Sequence, residues 1–181
     1  MLKTTDEHWR NATANLNARR KEQGHSNDNF LCDTPVADYR AHLDKCYVGP
    51  TLLDVGCGGQ HLKSCCPEYV EYFGMDAFPI VPTDYVMAIE EATPERIGRT
   101  FNTVCAFAIL DNCRDFDQAI RAMQSLATVN IIILTGIGIE PDKFHTMKLE
   151  LSDYDNLFTG WANSVRKEIQ SKVWLLEYSR I

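Results

Sequence analysis

One stretch constrains the fold more than any other: the short apolar run Thr51 to Val55 passes directly into Gly56-Cys57-Gly58-Gly59. A strand followed at once by glycines predicts a strand-to-helix turn. Glycine allows backbone angles that other residues resist and lets the chain pass close to a ligand. Gln60 to Cys66 reads as the helix that follows, and Pro67 ends it. Asp54, at the end of the strand, suits a ligand's amino group or the holding of the loop.

The pattern after this turn alternates. Tyr69 to Met75 predicts a second strand ending on Asp76, Asp84 to Ala88 a third, and Phe101 to Ala106 a fourth. Asp115 to Leu126 predicts an amphipathic helix, with apolar residues at 116, 119, 120, 123 and 126. Val129 to Leu134 is nearly all apolar, as in a strand buried on both faces. Ser152 to Trp161 reads as a helix capped by its serine. Ser164 to Ile169 and Val173 to Tyr178 predict a closing hairpin around 170–172. Strands alternating with helices imply an α/β fold, a doubly wound and mostly parallel sheet with helices on both faces. The antiparallel C-terminal hairpin adds edge strands. Only seven residues separate Asp76 from Asp84, and Pro79 and Pro82 are among them. That is too short and too proline-rich for a crossover helix.

Residues 1–49 predict a short N-terminal helical cap segment on a body formed by 50–181, within one structural domain. Asp6 to Gln23 reads as a polar helix with Trp9, Ala12, Leu16 and Arg20 on one face. Gly24 to Asp33 reads as a loop. Thr34-Pro35 places a cap and a first-turn proline before a second helix, Val36 to Cys46.

Charge and cysteines narrow the function. The net charge is −7. Residues 50–181 hold eleven Lys/Arg against eighteen Asp/Glu, while 1–49 balance at seven each. An acidic body repels phosphate backbones, which disfavours a nucleic-acid partner. Arg19-Arg20-Lys21 reads as a solvated helix face. Seven cysteines, without a CxxC pair or a secretory leader, argue against a disulfide framework or a zinc ribbon. His61, Cys65 and Cys66 read as helix residues that pack, and no metal is expected. No run is long enough to span a bilayer. These features predict a soluble cytoplasmic protein.

Asp76 follows Gly56 by twenty residues, at the end of the next strand. A carboxylate there accepts hydrogen bonds from ribose hydroxyls. The dinucleotide fingerprint fails, because it requires glycine where His61 stands. Asp54-Val55-Gly56-Cys57-Gly58-Gly59 resembles the first motif of class I S-adenosylmethionine-dependent methyltransferases. Tyr72 to Asp76 resembles their second motif, Phe101 to Asn112 their fourth-strand block, and Val173 to Ser179 their last strand. The resemblance covers about residues 50–181, in order, and implies a Rossmann-like fold in a compact form.

It also implies roles. Gly56, Cys57 and Gly58 would lie against the methionine part of S-adenosylmethionine, and Asp54 near its amino group. Asp76 would hold the ribose, with Ala77 and Phe78 beside the adenine and Ala88 and Ile89 across from it. Ala106 would approach the sulfonium. There are departures. Gln60 stands for a third glycine, Ala88 for an acid that receives the adenine amino group, and Asp111-Asn112 for Glu-His. The Lys-Asp-Lys-Glu set of 2′-O enzymes is absent.

Two residues are candidates on the acceptor side. Asp111 follows the fourth strand, at the carboxyl edge where α/β sheets bind ligands. His145 follows the fifth, and histidine is the natural base near neutral pH. Trp9, Tyr39 and Arg40 could cover the site or merely pack on the sheet. The expected activity is O- or N-methylation of a small molecule. The alternatives are RNA or protein methylation, or binding of the cofactor without transfer.

Overall fold

The computed structural model describes residues 2–22 and 39–181. The expected 24–33 loop, the Thr34-Pro35 helix start, Cys32 and the side chains of Arg20, Tyr39 and Arg40 lie outside the described residues. Among the described residues, seven strands form one sheet in the order β3-β2-β1-β4-β5-β7-β6. They are β1 (Thr51–Val55), β2 (Glu71–Asp76), β3 (Tyr85–Val86), β4 (Phe101–Phe107), β5 (Ala127–Gly136), β6 (Trp161–Gln170) and β7 (Val173–Arg180). Neighbours from β3 to β5 run parallel, and β7 pairs antiparallel with both β5 and β6. The doubly wound sheet with its C-terminal hairpin is thus observed.

The order reverses beside β1, where β2 lies on one side and β4 on the other. In an open parallel sheet such a reversal leaves a crevice at the carboxyl ends of the strands. The strands at the centre are apolar on both faces because helices cover both. One buried cluster includes Leu53, Val55, Phe101, Ile131 and the inner face of α5 (Phe116–Leu126). The other includes Leu52, Leu62, Cys105, Ile132 and Leu175, under α2 (Tyr39–Leu43) and α3 (His61–Cys65). Period-two alternation assigns neighbouring residues of one strand to opposite clusters.

Three elements differ from the sequence expectation. The third strand is only two residues long. A 3-10 turn at Ile89–Glu91 and a short helix α4 (Pro94–Ile97) follow it, the latter capped by Thr93 with Pro94 in its first turn. α6 spans Leu151–Leu157 rather than running to Trp161, which opens β6, and its N-cap is Glu150 rather than Ser152. Asp153 decides this, because its carboxylate accepts the Glu150 backbone N–H at 2.7 Å. No helix forms over 77–83.

The N-terminal α1 (Asp6–Glu22) buries Trp9, Ala12 and Leu16. Its start is fixed by a β-bridge between Lys3 and Asp115 and by their ion pair. A buried polar network secures the segment before β1. Asn130 accepts from Thr103 Oγ1 at 2.7 Å and donates to Glu177 Oε1 and to the Tyr47 carbonyl, both at 2.6 Å. Tyr47 N–H and Gly49 N–H complete it, donating to Glu177 and Thr103. Among the described residues, no helix is long and apolar enough to cross a membrane.

Candidate functional site

The turn after β1 is built by backbone angles. Gly56, Gly58 and Gln60 all have positive φ, at 70°, 49° and 59°. A side chain in that region is normally strained. Gln60 offsets the strain with a bond from its Nε2 to the Pro82 carbonyl at 2.7 Å. Cys57 Sγ lies 3.2 Å from Thr83 Oγ1. These two contacts lay the helix-free 77–83 connector against the glycine turn. Gly74 allows it, since a Cβ there would stand 2.7 Å from Thr83 Oγ1.

Above this turn a cleft of about 580 Å³ opens at the carboxyl ends of β1, β2 and β4. Six of the residues assigned to the cofactor from the sequence line it: Gly56, Asp76, Ala77, Phe78, Ala88 and Ile89. Asp76 is the central polar group. Its Oδ2 accepts the Gly58 N–H at 3.0 Å and its Oδ1 the Phe78 N–H at 2.8 Å. The carboxylate is thereby held in place, and each oxygen keeps a lone pair for a ligand.

Asp54, Cys57, Gly58 and Ala106 do not line the cleft. Alternation explains Asp54: Val55 lines the cleft, and its neighbour turns to the opposite face of the sheet. There Asp54 is buried and accepts the Tyr72 hydroxyl at 2.7 Å. Burial pushes its carboxyl up to about 7, against the pull of that hydrogen bond. Burial likewise raises Tyr72, with the Asp54 charge adding to it, so the phenol stays protonated. Burial also pushes the Cys46, Cys57 and Cys66 thiols up to about 12, which makes them packing groups rather than nucleophiles.

The remaining walls come from residues not assigned to the cofactor from sequence. Trp9, Thr13, Leu16 and Asn17 of α1 form one of them. Trp9 stacks at a tilt on Phe78, with centroids 5.1 Å apart, and Asn17 Nδ2 reaches the Phe78 carbonyl at 3.4 Å. The Arg114 guanidinium lies over the Trp9 ring, 4.7 Å from its centroid, and pairs with Asp6 and Glu91. The stripe of Trp9, Ala12 and Leu16 was visible in the sequence, which left open whether Trp9 covers the site or packs on the sheet. Ile109, Asn112 and Cys113, after β4, form another wall. Ala108, at φ 52°, turns the chain so that Ile109 sits over Gly56. The only hint in the sequence was the position of these residues after the fourth strand.

Asp111 and His145 come together behind this wall. His145 Nε2 lies 3.8 Å from Asp111 Oδ2, and its Nδ1 lies 2.9 Å from Asp142 Oδ1. Asp142 Oδ1 also accepts the N–H groups of Phe144 and His145, at 2.7 and 2.8 Å. Burial pushes the Asp111 carboxyl up, and the adjacent imidazole opposes it. At Asp142 burial works upward too, but the two N–H groups and the imidazole outweigh it and hold the carboxyl below the ordinary range. Asp111 is anchored through its backbone, because its carbonyl accepts Thr146 N–H and Oγ1 at 2.9 Å each.

No protein-family model matches the chain, and no curated protein matches it by sequence. Solved structures do match it in shape. The 1,6-didemethyltoxoflavin-N1-methyltransferase of Burkholderia thailandensis, solved with 1,6-didemethyltoxoflavin and S-adenosylhomocysteine, superposes with a TM-score of 0.69 at 9% identity, over 99% of this chain and 92% of that one. The N-methyltransferase NodS of Bradyrhizobium japonicum WM9 gives 0.63 at 11% identity, over 82% and 98%. Magnesium protoporphyrin IX methyltransferase of Synechocystis PCC 6803, with S-adenosylmethionine bound, gives 0.58 at 16% identity, over 81% and 76%. The chain thus has the Rossmann-like fold of the class I S-adenosylmethionine-dependent methyltransferases.

Proposed function

We propose that this protein is an S-adenosylmethionine-dependent methyltransferase that methylates an oxygen or nitrogen of a small molecule. One observation carries the reading: the cleft joins a held carboxylate, Asp76, to the glycine turn and to apolar walls at the point where the strand order reverses. These residues fit the cofactor. Asp76 has lone pairs for ribose hydroxyls, Gly56 presents bare backbone, and Phe78 and Ile89 offer apolar surfaces for a purine. Bound there, the cofactor would supply a methyl group activated by its sulfonium.

The chain's own groups would hold and orient. Trp9 and Leu16 line one wall of the cleft and would shield that side of a bound ligand from water. Ile109 fixes how deeply a ligand sits against Gly56. Asp142 would keep the Nδ1 proton on His145, leaving Nε2 as the atom that takes a proton from an acceptor. Asp111 would stabilise the imidazolium so formed. The acidic body favours a small neutral or cationic acceptor over a nucleic acid.

A second reading is a protein that binds the cofactor without transferring methyl. It draws on the placement of Asp111 and His145 behind the cleft wall rather than on it. Acceptor-dependent turnover would exclude it.

The test is calorimetric titration of wild type and Asp76→Ala with S-adenosylmethionine and S-adenosylhomocysteine. Micromolar binding, about −8 kcal/mol, that weakens in the variant is expected. Absence of heat and of thermal shift with both ligands would reject the proposal.

A further inference from the structure

If the cleft takes S-adenosylmethionine, as the preceding reading holds, its nucleobase end has no acceptor side chain at position 88 for the adenine 6-amino group. That group is a hydrogen-bond donor and needs an acceptor. Ala88, after β3, offers only a methyl group. The carbonyls of Ala88 and Ile89 accept the N–H groups of Glu91 and Ala92, at 3.0 Å each. The Glu90 carbonyl accepts Gln118 Nε2 at 2.7 Å. Glu90, which also lines the cleft, directs Oε1 to the backbone N–H groups of Arg114 and Asp115, and its carboxylate is thereby held against that segment.

Asn112 is different. It lines the same cleft and is buried. Its Nδ2 donates to Asp111 Oδ1 at 3.4 Å, which sets the amide with the nitrogen toward Asp111. Its Oδ1 is buried and has no hydrogen-bond partner. An unmet buried acceptor is destabilising and rare, and a ligand donor would satisfy it. The Glu90 bonds draw the 89–91 turn against the residues that follow Asn112. This brings Asn112 to the end of the cleft lined by Ala88 and Ile89.

We propose that Asn112 Oδ1 accepts the hydrogen bond of the adenine 6-amino group, a role for which position 88 has no side-chain acceptor. Asn112 is therefore a specificity-determining residue for the nucleobase, and the acceptor sits on the segment after β4 instead of the one after β3.

The test compares two ligands by calorimetry: S-adenosylhomocysteine, and its analogue with hydrogen in place of the purine 6-amino group. Wild type should prefer the first by about tenfold, the worth of one neutral hydrogen bond. Asn112→Leu keeps the volume and removes the acceptor, and should bring the two affinities within about twofold, chiefly by weakening the natural ligand. Asn112→Ala serves as the second variant, with thermal melts to confirm folding. Equal binding of the two ligands by wild type overturns the inference without any variant and leaves the cofactor reading intact. A tenfold preference that persists in both folded variants also overturns it. Failure of wild type to bind either ligand rejects the cofactor reading itself.

Discussion

His145 and Asp142 form a closed loop in which one carboxylate oxygen, Asp142 Oδ1, meets the ring Nδ1 at 2.9 Å and two backbone N–H groups within 2.8 Å. Such an arrangement selects a tautomer. In the neutral ring Nδ1 carries the proton and Nε2, 3.8 Å from Asp111, is bare. Long-range nitrogen NMR under alkaline conditions should show that single tautomer in wild type. Asp142→Ala should give a mixture. A mixture in wild type would remove the orienting role of Asp142 and weaken the case for His145 as a base.

Asp54 makes stability depend on pH. Its folded pKa of about 7 lies above the ordinary carboxylate value, so the folded state binds the extra proton. Below about pH 4 both states are protonated and Asp54 costs nothing. The cost grows as pH rises toward 7 and is constant above. Asp54→Asn mimics the protonated form and keeps an acceptor for Tyr72. It should be more stable than wild type at pH 8 by up to about 4 kcal/mol. That difference should vanish toward pH 4. Urea unfolding across this range measures it, and a difference independent of pH would show that Asp54 is not the titrating group.

Asn130 joins β4, β5 and β7 to the segment before β1. Asn130→Ala leaves Thr103, Glu177 and the Tyr47 carbonyl each short of a partner in a buried site. We expect a loss of about 2–4 kcal/mol in urea unfolding, with little change in ligand affinity, because the network lies away from the cleft. A loss under about 0.5 kcal/mol, the range of an ordinary surface substitution, would mean that water replaces the amide.

Trp9 should report on ligand binding. It lines the cleft and packs against both Phe78 and Arg114. S-adenosylhomocysteine should change the tryptophan emission of wild type, and the change should be lost in Trp9→Phe although Trp161 and Trp174 remain. An unchanged signal in that variant would place the ligand away from α1.

Gly56→Ala tests the turn. A Cβ would lie 2.4 Å from Ile109 Cγ1, at a φ of 70° that alanine resists. We expect destabilisation of about 1–2 kcal/mol from the backbone alone and at least a tenfold loss of ligand affinity. Adding Ile109→Ala should restore part of the stability and none of the backbone term. Full recovery in the double variant would show that the contact, and not φ, is what requires glycine.

Much of the fold was legible because its signals are local. The apolar strands, the glycine turn, the proline-rich connector and the amphipathic α5 each announce themselves within a few residues, and their order implies a doubly wound sheet. Boundaries were less legible where a side chain chooses between caps: Asp153 makes Glu150, not Ser152, the start of α6. Asp76 was singled out by its spacing from the glycine turn, and Ala77, Phe78, Ala88 and Ile89 by the family resemblance, and all of them line the cleft.

What the sequence determined by itself is the set of strands, the glycine turn and the carboxylate beside it, since these depend on backbone propensity and on period-two alternation. Only the tertiary structure decided which groups face the cleft. It turned Asp54 to the opposite face of the sheet, laid Trp9 of a distant helix over Phe78, and set Ile109 and Asn112 into the wall while Asp111 passed behind it to meet His145. The reason is physical: burial, and hence pKa and hydrogen-bond partnership, is settled by contacts between segments far apart in the chain, which no local pattern encodes.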